Sequence, residues 1–176
     1  TFTIDDSYIW FEKDDKMYKI TGIDRSTFEV FVHDGTQVFL LDKNGIYEFD
    51  HKTVTVGKRL NSAGLYKLFA TVYKDKKSIY YFDPHTRSFK RINDLDINNL
   101  TTCFYKKIGS KKIYFLVSDK NQTWQYDEEK FDFEKSKGNA CIFYGEYTVR
   151  YVTESTIGSF INSDETSCLS LHKKQR

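Results

Sequence analysis

Residues 74–92, KDKKSIYYFDPHTRSFKRI, read as one complete β-hairpin. Ser78 to Phe82 is a run of β-branched and aromatic residues, which fit a pleated, half-buried surface. Asp83-Pro84-His85-Thr86 follows, with an Asp whose side chain caps a turn and a Pro that presets φ for the next position. Ser88 to Ile92 alternates and returns as the second strand. The same layout recurs at Asp42-Lys43-Asn44-Gly45 leading into Tyr47-Glu48-Phe49-Asp50. It recurs again at Asp119-Lys120-Asn121 leading into Trp124-Gln125-Tyr126-Asp127. The chain is read as variations on this phrase.

Outward from it, more hairpins follow. Ser7 to Phe11 and Lys16 to Ile20 flank a polar turn, and Thr27 to His33 alternates with Phe28, Val30 and Val32 on one face. Asp34-Gly35 and Asn44-Gly45 are tight-turn signals that call for positive φ at glycine. Tyr66 to Tyr73 reads as a single strand buried on both faces, and Asn93 to Asn99 as a short helical turn or long loop. Two hairpins follow around Gly109-Ser110 and between Thr123 and Phe133. Ala140 to Tyr144, Tyr147 to Thr153 and Thr156 to Ile161 then form a terminal meander. Turns of two to five residues join antiparallel neighbours, because parallel pairs need long crossovers.

The expected class is therefore all-β: an antiparallel meander of repeated hairpins, as a rolled or open sheet or a small propeller-like arrangement. It is expected as a single domain over 1–176, with a repeat-like region at 17–127, a terminal meander at 138–162 and a frayed tail at 163–176. The aromatic-Asp phrases lie 33 and 44 positions apart, near the period of a propeller blade, and about four such units fill the chain.

Composition agrees. The 176 residues include 13 Tyr and 15 Phe but one Pro and one Met, a balance that favours strands. Net charge is +2 with both signs interspersed, which lacks the basic stripe of a nucleic-acid binder. No apolar run reaches the ~20 residues of a membrane-spanning helix. No signal peptide is visible, and the start at Thr1 reads as a mature or trimmed product. Cys103, Cys141 and Cys168 fit either one bridge with a third thiol or three buried thiols. Apolar neighbours place Cys103 and Cys141 inside, and in an exported protein these two make the disulfide; Cys168 is the reactive one.

Within these repeats, Met17 to Asp24, Thr27-Phe28-Glu29-Val30, Asp42-Lys43-Asn44 and Tyr47 resemble the bacterial DKNYY repeat family. Asp75-Lys76-Lys77 with Tyr80-Tyr81 looks like a second copy, and Asp119-Lys120-Asn121 with Trp124 a third. The likeness covers most of 17–127, departs at Gly45 and Gln122-Thr123, and ends before Gly138. It implies a repetitive β protein, often exported or envelope-associated, with no known catalysis.

The residues carry little chemistry. His33, His51, His85 and His172 show no metal-ligand spacing, so each is read as a turn or surface histidine and no metal or cofactor is expected. Asp14-Asp15 and Asp42-x-Asn44-Gly45 lack a calcium-loop pattern and are read as turn formers. Nucleophile elbows and phosphate loops are absent, so no enzyme is expected.

The aromatics remain. Tyr80 and Tyr81 must point to opposite faces of their strand, and the larger Phe82 tips Tyr80 inward and Tyr81 outward. Tyr81, Trp10 and Trp124 are the expected binding residues. The expected role is a non-catalytic protein-interaction module, with an inhibitor or immunity-type protein as one specific form. A carbohydrate-binding module is the alternative, and a hydrolase of unrecognised type the third.

Overall fold

In a computed structural model the described residues are 1–120, 122–135, 141–144, 148–151 and 166–168. They form strands and two single 3-10 turns, so the chain is all-β. The first sheet joins β1 (Phe2–Ile4), β2 (Ile9–Lys13) and β3 (Lys16–Ile20) in sequence order. A four-stranded meander follows: β4 (Glu29–His33), β5 (Gln37–Asp42), β6 (Gly45–Asp50) and β7 (Thr55–Arg59). The next comprises β8 (Tyr66–Phe69), β9 (Val72–Lys74), β10 (Ile79–Asp83) and β11 (Ser88–Arg91). A third comprises β12 (Leu100–Ile108), β13 (Lys111–Ser118), β14 (Thr123–Asp127) and β15 (Asp132–Lys135). β16 (Cys141–Tyr144) pairs with β17 (Thr148–Tyr151), and β18 (Thr166–Cys168) adds antiparallel to β12. Three residues of the expected frayed tail are thus part of a sheet. The expected strand at Thr156 to Ile161 lies outside the described residues, as do the Cys141 and Cys168 side chains.

The repeated phrase has a structural meaning. Tyr47 to Asp50, Tyr80 to Asp83 and Trp124 to Asp127 each occupy the third strand of a four-stranded meander, the last of which β18 extends to a five-stranded sheet. Each phrase ends in an Asp that caps the next turn: Asp50, Asp83 and Asp127 accept from the amides of Lys52, His85 and Glu129 at 2.8–2.9 Å. Each turn closes at a positive-φ residue, Val54, Arg87 or Phe131, one position before the fourth strand. The aromatics supply the strand and the Asp its end.

Several local expectations change. Asp34 and Gly35 both have positive φ and Thr36 N donates to His33 O, the φ signature of a type I′ turn, as expected. Gly45 does not have positive φ; it begins β6, and its turn is held by Asp42 Oδ1, which accepts from Asn44 N and Gly45 N. Glycine is required there by space: a Cβ would lie 2.1 Å from Asn61 Oδ1 and 2.8 Å from the Arg59 side chain. Tyr66 to Tyr73 is two strands, broken at Ala70 with φ 42°; the turn carries none of the usual Gly, Pro or Asx residues, so no local signal marks the break in the sequence. Val30 and Val32 are exposed, whereas Phe31 is half-buried and His33 buried. The edge strand turns its other side inward.

The chain divides into two compact units, Thr1–Asp75 with Phe82–Lys90, and Lys76–Tyr81 with Arg91–Arg176. In the first, Ile9, Phe11 and Ile20 pack with Leu40 and Phe49, so the first sheet covers one face of the β4–β7 sheet. Phe2 lies between Phe11 and Phe49 at ring separations of 4.8 and 5.1 Å. The opposite face, through Phe39, meets Phe82, which meets Phe89. Buried Tyr73 donates to Asp42 O and Gly45 O, fixing the β5–β6 turn. In the second unit β13 is central and buried from Ile113 to Ser118, with Trp124 and Tyr126 of β14 beside it. Cys103 is buried there, as its neighbours imply.

Candidate functional site

Trp10 stands at the middle of β2, opposite Thr3 of β1 and Lys19 of β3. Period-two alternation sends Ile9 and Phe11 into the core and leaves the indole on the outer face of the sheet. There it lines an open groove with Thr3, Ile4, Asp5 and Met17. Ile4 and Met17 are 49% and 50% exposed, so the groove is walled by apolar side chains facing water.

The indole is held in place. Its Nε1–H donates to Asp5 Oδ2 at 2.7 Å, while Asp5 Oδ1 accepts from Ser7 N and Tyr8 N. The Ser7 amide, the indole N–H and the Tyr8 amide together hold the Asp5 carboxyl below its ordinary range. Tyr8 stands edge-on to Trp10 at 5.9 Å, and Lys19 Nζ lies 3.4 Å from the Tyr8 ring centroid. The loop after β1 and Lys19 of β3 therefore build an aromatic and cationic rim beside the groove.

The other two expected binding residues are placed differently. Trp124 is only 3% exposed, with Lys135 Nζ 5.5 Å from its ring centroid, so it belongs to the core of the β12–β15 sheet. Its position on β14, next to the buried central strand, makes the ring core-facing rather than partner-facing. Tyr80 and Tyr81 are both half-buried, between fully buried Ile79 and Phe82. Tyr81 lies edge-on to Phe133 at 5.5 Å. Alternation assigns the two rings to opposite faces, but it does not say whether a face is covered, and both rings are half-buried. Of the three, Trp10 lines an open groove.

Asp5, Tyr8, Lys19 and Met17 were not singled out by sequence, since no motif marks an outer sheet face. Only the β-ladder register, Trp10 opposite Lys19 and Glu12 opposite Met17, gathers them.

The Asp-rich turns are occupied by their own backbone. Asp42 accepts from two turn amides at Oδ1 and from Asp24 N at Oδ2. Asp24 is held low by the Thr27 and Ser26 hydroxyls, and Asp50 by the Lys52 amide and Thr53. At Asp83 and Asp127 burial pushes the carboxyl up, and Lys90 or Lys111 with a turn amide outweighs it. One group of metal-ligand side chains does converge among the described residues: His33, Asp34 and His85. His33 is buried rather than superficial, at the inward-turned end of β4.

Comparisons with known proteins add little. No protein-family model matches the chain, and no curated protein does. Among solved structures it is similar to the crystal structure of the N-terminal domain of Nup159, with a TM-score of 0.37 and 16% identity. That similarity covers 62% of this chain and 30% of the other, and carries no functional argument. No helix of the described residues is long and apolar enough to cross a membrane.

Proposed function

We propose that this protein is a non-catalytic binding module whose partner is another protein, engaged by the outer face of the first sheet. The observation that carries this reading is the groove beside Trp10, walled by exposed Ile4 and Met17 and rimmed by Tyr8 and Lys19. Exposed apolar side chains around a fixed aromatic are what the anchor residues of protein interfaces require. The likeness to DKNYY repeats supports the same kind of object, a repetitive β frame. An inhibitor or immunity-type protein is one specific form of such a module.

A tryptophan beside a carboxylate also fits the carbohydrate reading. Against it, both Asp5 oxygens and the indole N–H are consumed by one another and by two amides, leaving little to receive sugar hydroxyls. A two-carboxylate glycosidase needs one carboxyl held in its acid form to protonate the leaving group. Asp5, Asp24, Asp50, Asp83 and Asp127 are all shifted the opposite way.

The test is affinity capture from the source cells with wild-type protein, Trp10→Ala and Met17→Asp. One protein retained at fixed stoichiometry, weakened by about 2 kcal/mol or more in both variants at unchanged melting temperature, supports the reading. Equal retention by all three proteins places the interface elsewhere. Binding to immobilised oligosaccharides that Trp10→Ala abolishes replaces the protein partner with a sugar.

A further inference from the structure

His33, Asp34 and His85 come from two turns far apart in sequence. His33 ends β4 and Asp34 opens the type I′ turn, while His85 sits in the four-residue turn between β10 and β11. One ligand atom from each lies within 4.8 Å of the other two. His33 Nε2 is 3.0 Å from Asp34 Oδ2, and the two imidazole rings meet edge-on with centroids 4.7 Å apart. A four-coordinate ion with bonds of about 2.0–2.1 Å holds its ligand atoms roughly 3.3 Å apart. The His33–Asp34 edge is already near that value. The longer edges close by side-chain rotation at Asp34 and His85, which are both exposed.

A second, independent feature marks the place. Gln37 pairs directly with His33 across the β4–β5 ladder, so both side chains leave the same face. Its Oε1 is buried without a hydrogen-bond partner, one of two such side-chain atoms among the described residues. A buried amide oxygen ordinarily has a partner. An ion held by His33 would bring a charge to this side of the ladder.

We propose that His33, Asp34 and His85 form a binding site for a zinc-class divalent cation, with Gln37 Oε1 or water completing the shell. Two imidazoles and one carboxylate suit zinc and its neighbours, whereas calcium and magnesium take oxygen sets. The ion ties the β10–β11 turn to the β4–β5 turn. No motif shows this in the sequence, because the two histidines are separated by 51 intervening residues and meet only in the fold.

Isothermal titration of the full chain with Zn2+ is expected to show one equivalent bound, with the melting temperature raised as Zn2+ saturates the site. His85→Ala is expected to weaken binding by about 100-fold or more, the scale on which even supporting residues act at metal sites. His51→Ala, at another exposed turn, is expected to leave it unchanged. Asp34→Asn, which replaces a proposed ligand carboxylate with an amide, is expected to weaken binding as well. Zn2+ is also expected to shift the imidazole NMR signals of His33 and His85 together. The proposal is overturned by no Zn2+ uptake, by equal uptake in wild type and His85→Ala, or by an equal response to Ca2+.

Discussion

Gly45 separates two reasons for needing glycine. Its backbone is ordinary, yet a Cβ would lie 2.1 Å from Asn61 Oδ1, the acceptor for Ile46 N at 3.1 Å. Gly22 has φ +83° with open space around its missing Cβ. Gly45→Ala must displace Asn61 and Arg59 and disturb a buried hydrogen bond, costing about 2–3 kcal/mol. Gly22→Ala suffers backbone strain alone, about 1 kcal/mol. Urea denaturation of the two variants checks the order, and a larger loss at Gly22 would refute the packing account.

At the scale of the element, the four-residue turns after Asp50, Asp83 and Asp127 each place a non-glycine residue at positive φ. Val54 is retained there because it packs on the first core, and Phe131 leads into β15. Arg87 makes only an exposed ion pair with Glu48 at 3.2 Å, which is worth little in water. Arg87→Gly is therefore expected to stabilise the protein by roughly 0.5–1 kcal/mol, relieving left-handed strain at small electrostatic cost. A lower melting temperature for this variant would mean the turn geometry is misjudged. These turns were partly legible. Pro84 and the aromatic-Asp phrases announce where each strand ends, but Val, Arg and Phe give no local sign of positive φ.

For the whole molecule, five aspartates share one electrostatic direction. Asp5, Asp24, Asp50, Asp83 and Asp127 all titrate below their ordinary value in the folded state. Folding is thus favoured while they are ionised. That contribution is complete above the unfolded value near 3.9, and it is lost as pH falls through the lower folded values. The melting temperature is expected to hold from pH 7 to about 5 and to drop below about 4. Asp83→Asn and Asp127→Asn should lower it at pH 7 and flatten the acid drop, because their side chains are only 12% and 13% exposed beside Lys90 and Lys111. A melting temperature that rises on acidification below pH 4 contradicts the assignment.

Local, repetitive features are legible in the chain alone. Strand propensity, period-two alternation and Asx turns act over a few residues, so the all-β class, most hairpins and the recurring aromatic-Asp strand end were readable from the chain. Tertiary structure decided which face of each strand is covered. Val30 and Val32 alternate as a core strand should and lie exposed, whereas Trp124, an aromatic like any other in sequence, is buried. Burial depends on which sheet lies opposite, and that partner is distant in the chain. The same holds for the two sites. Trp10 acquires its groove from Ile4 on one neighbouring strand and Met17 on the other, and His33 meets His85 only because two turns separated by six strands fold together. Spacing along a chain records neighbours within an element; it holds no record of neighbours made by packing.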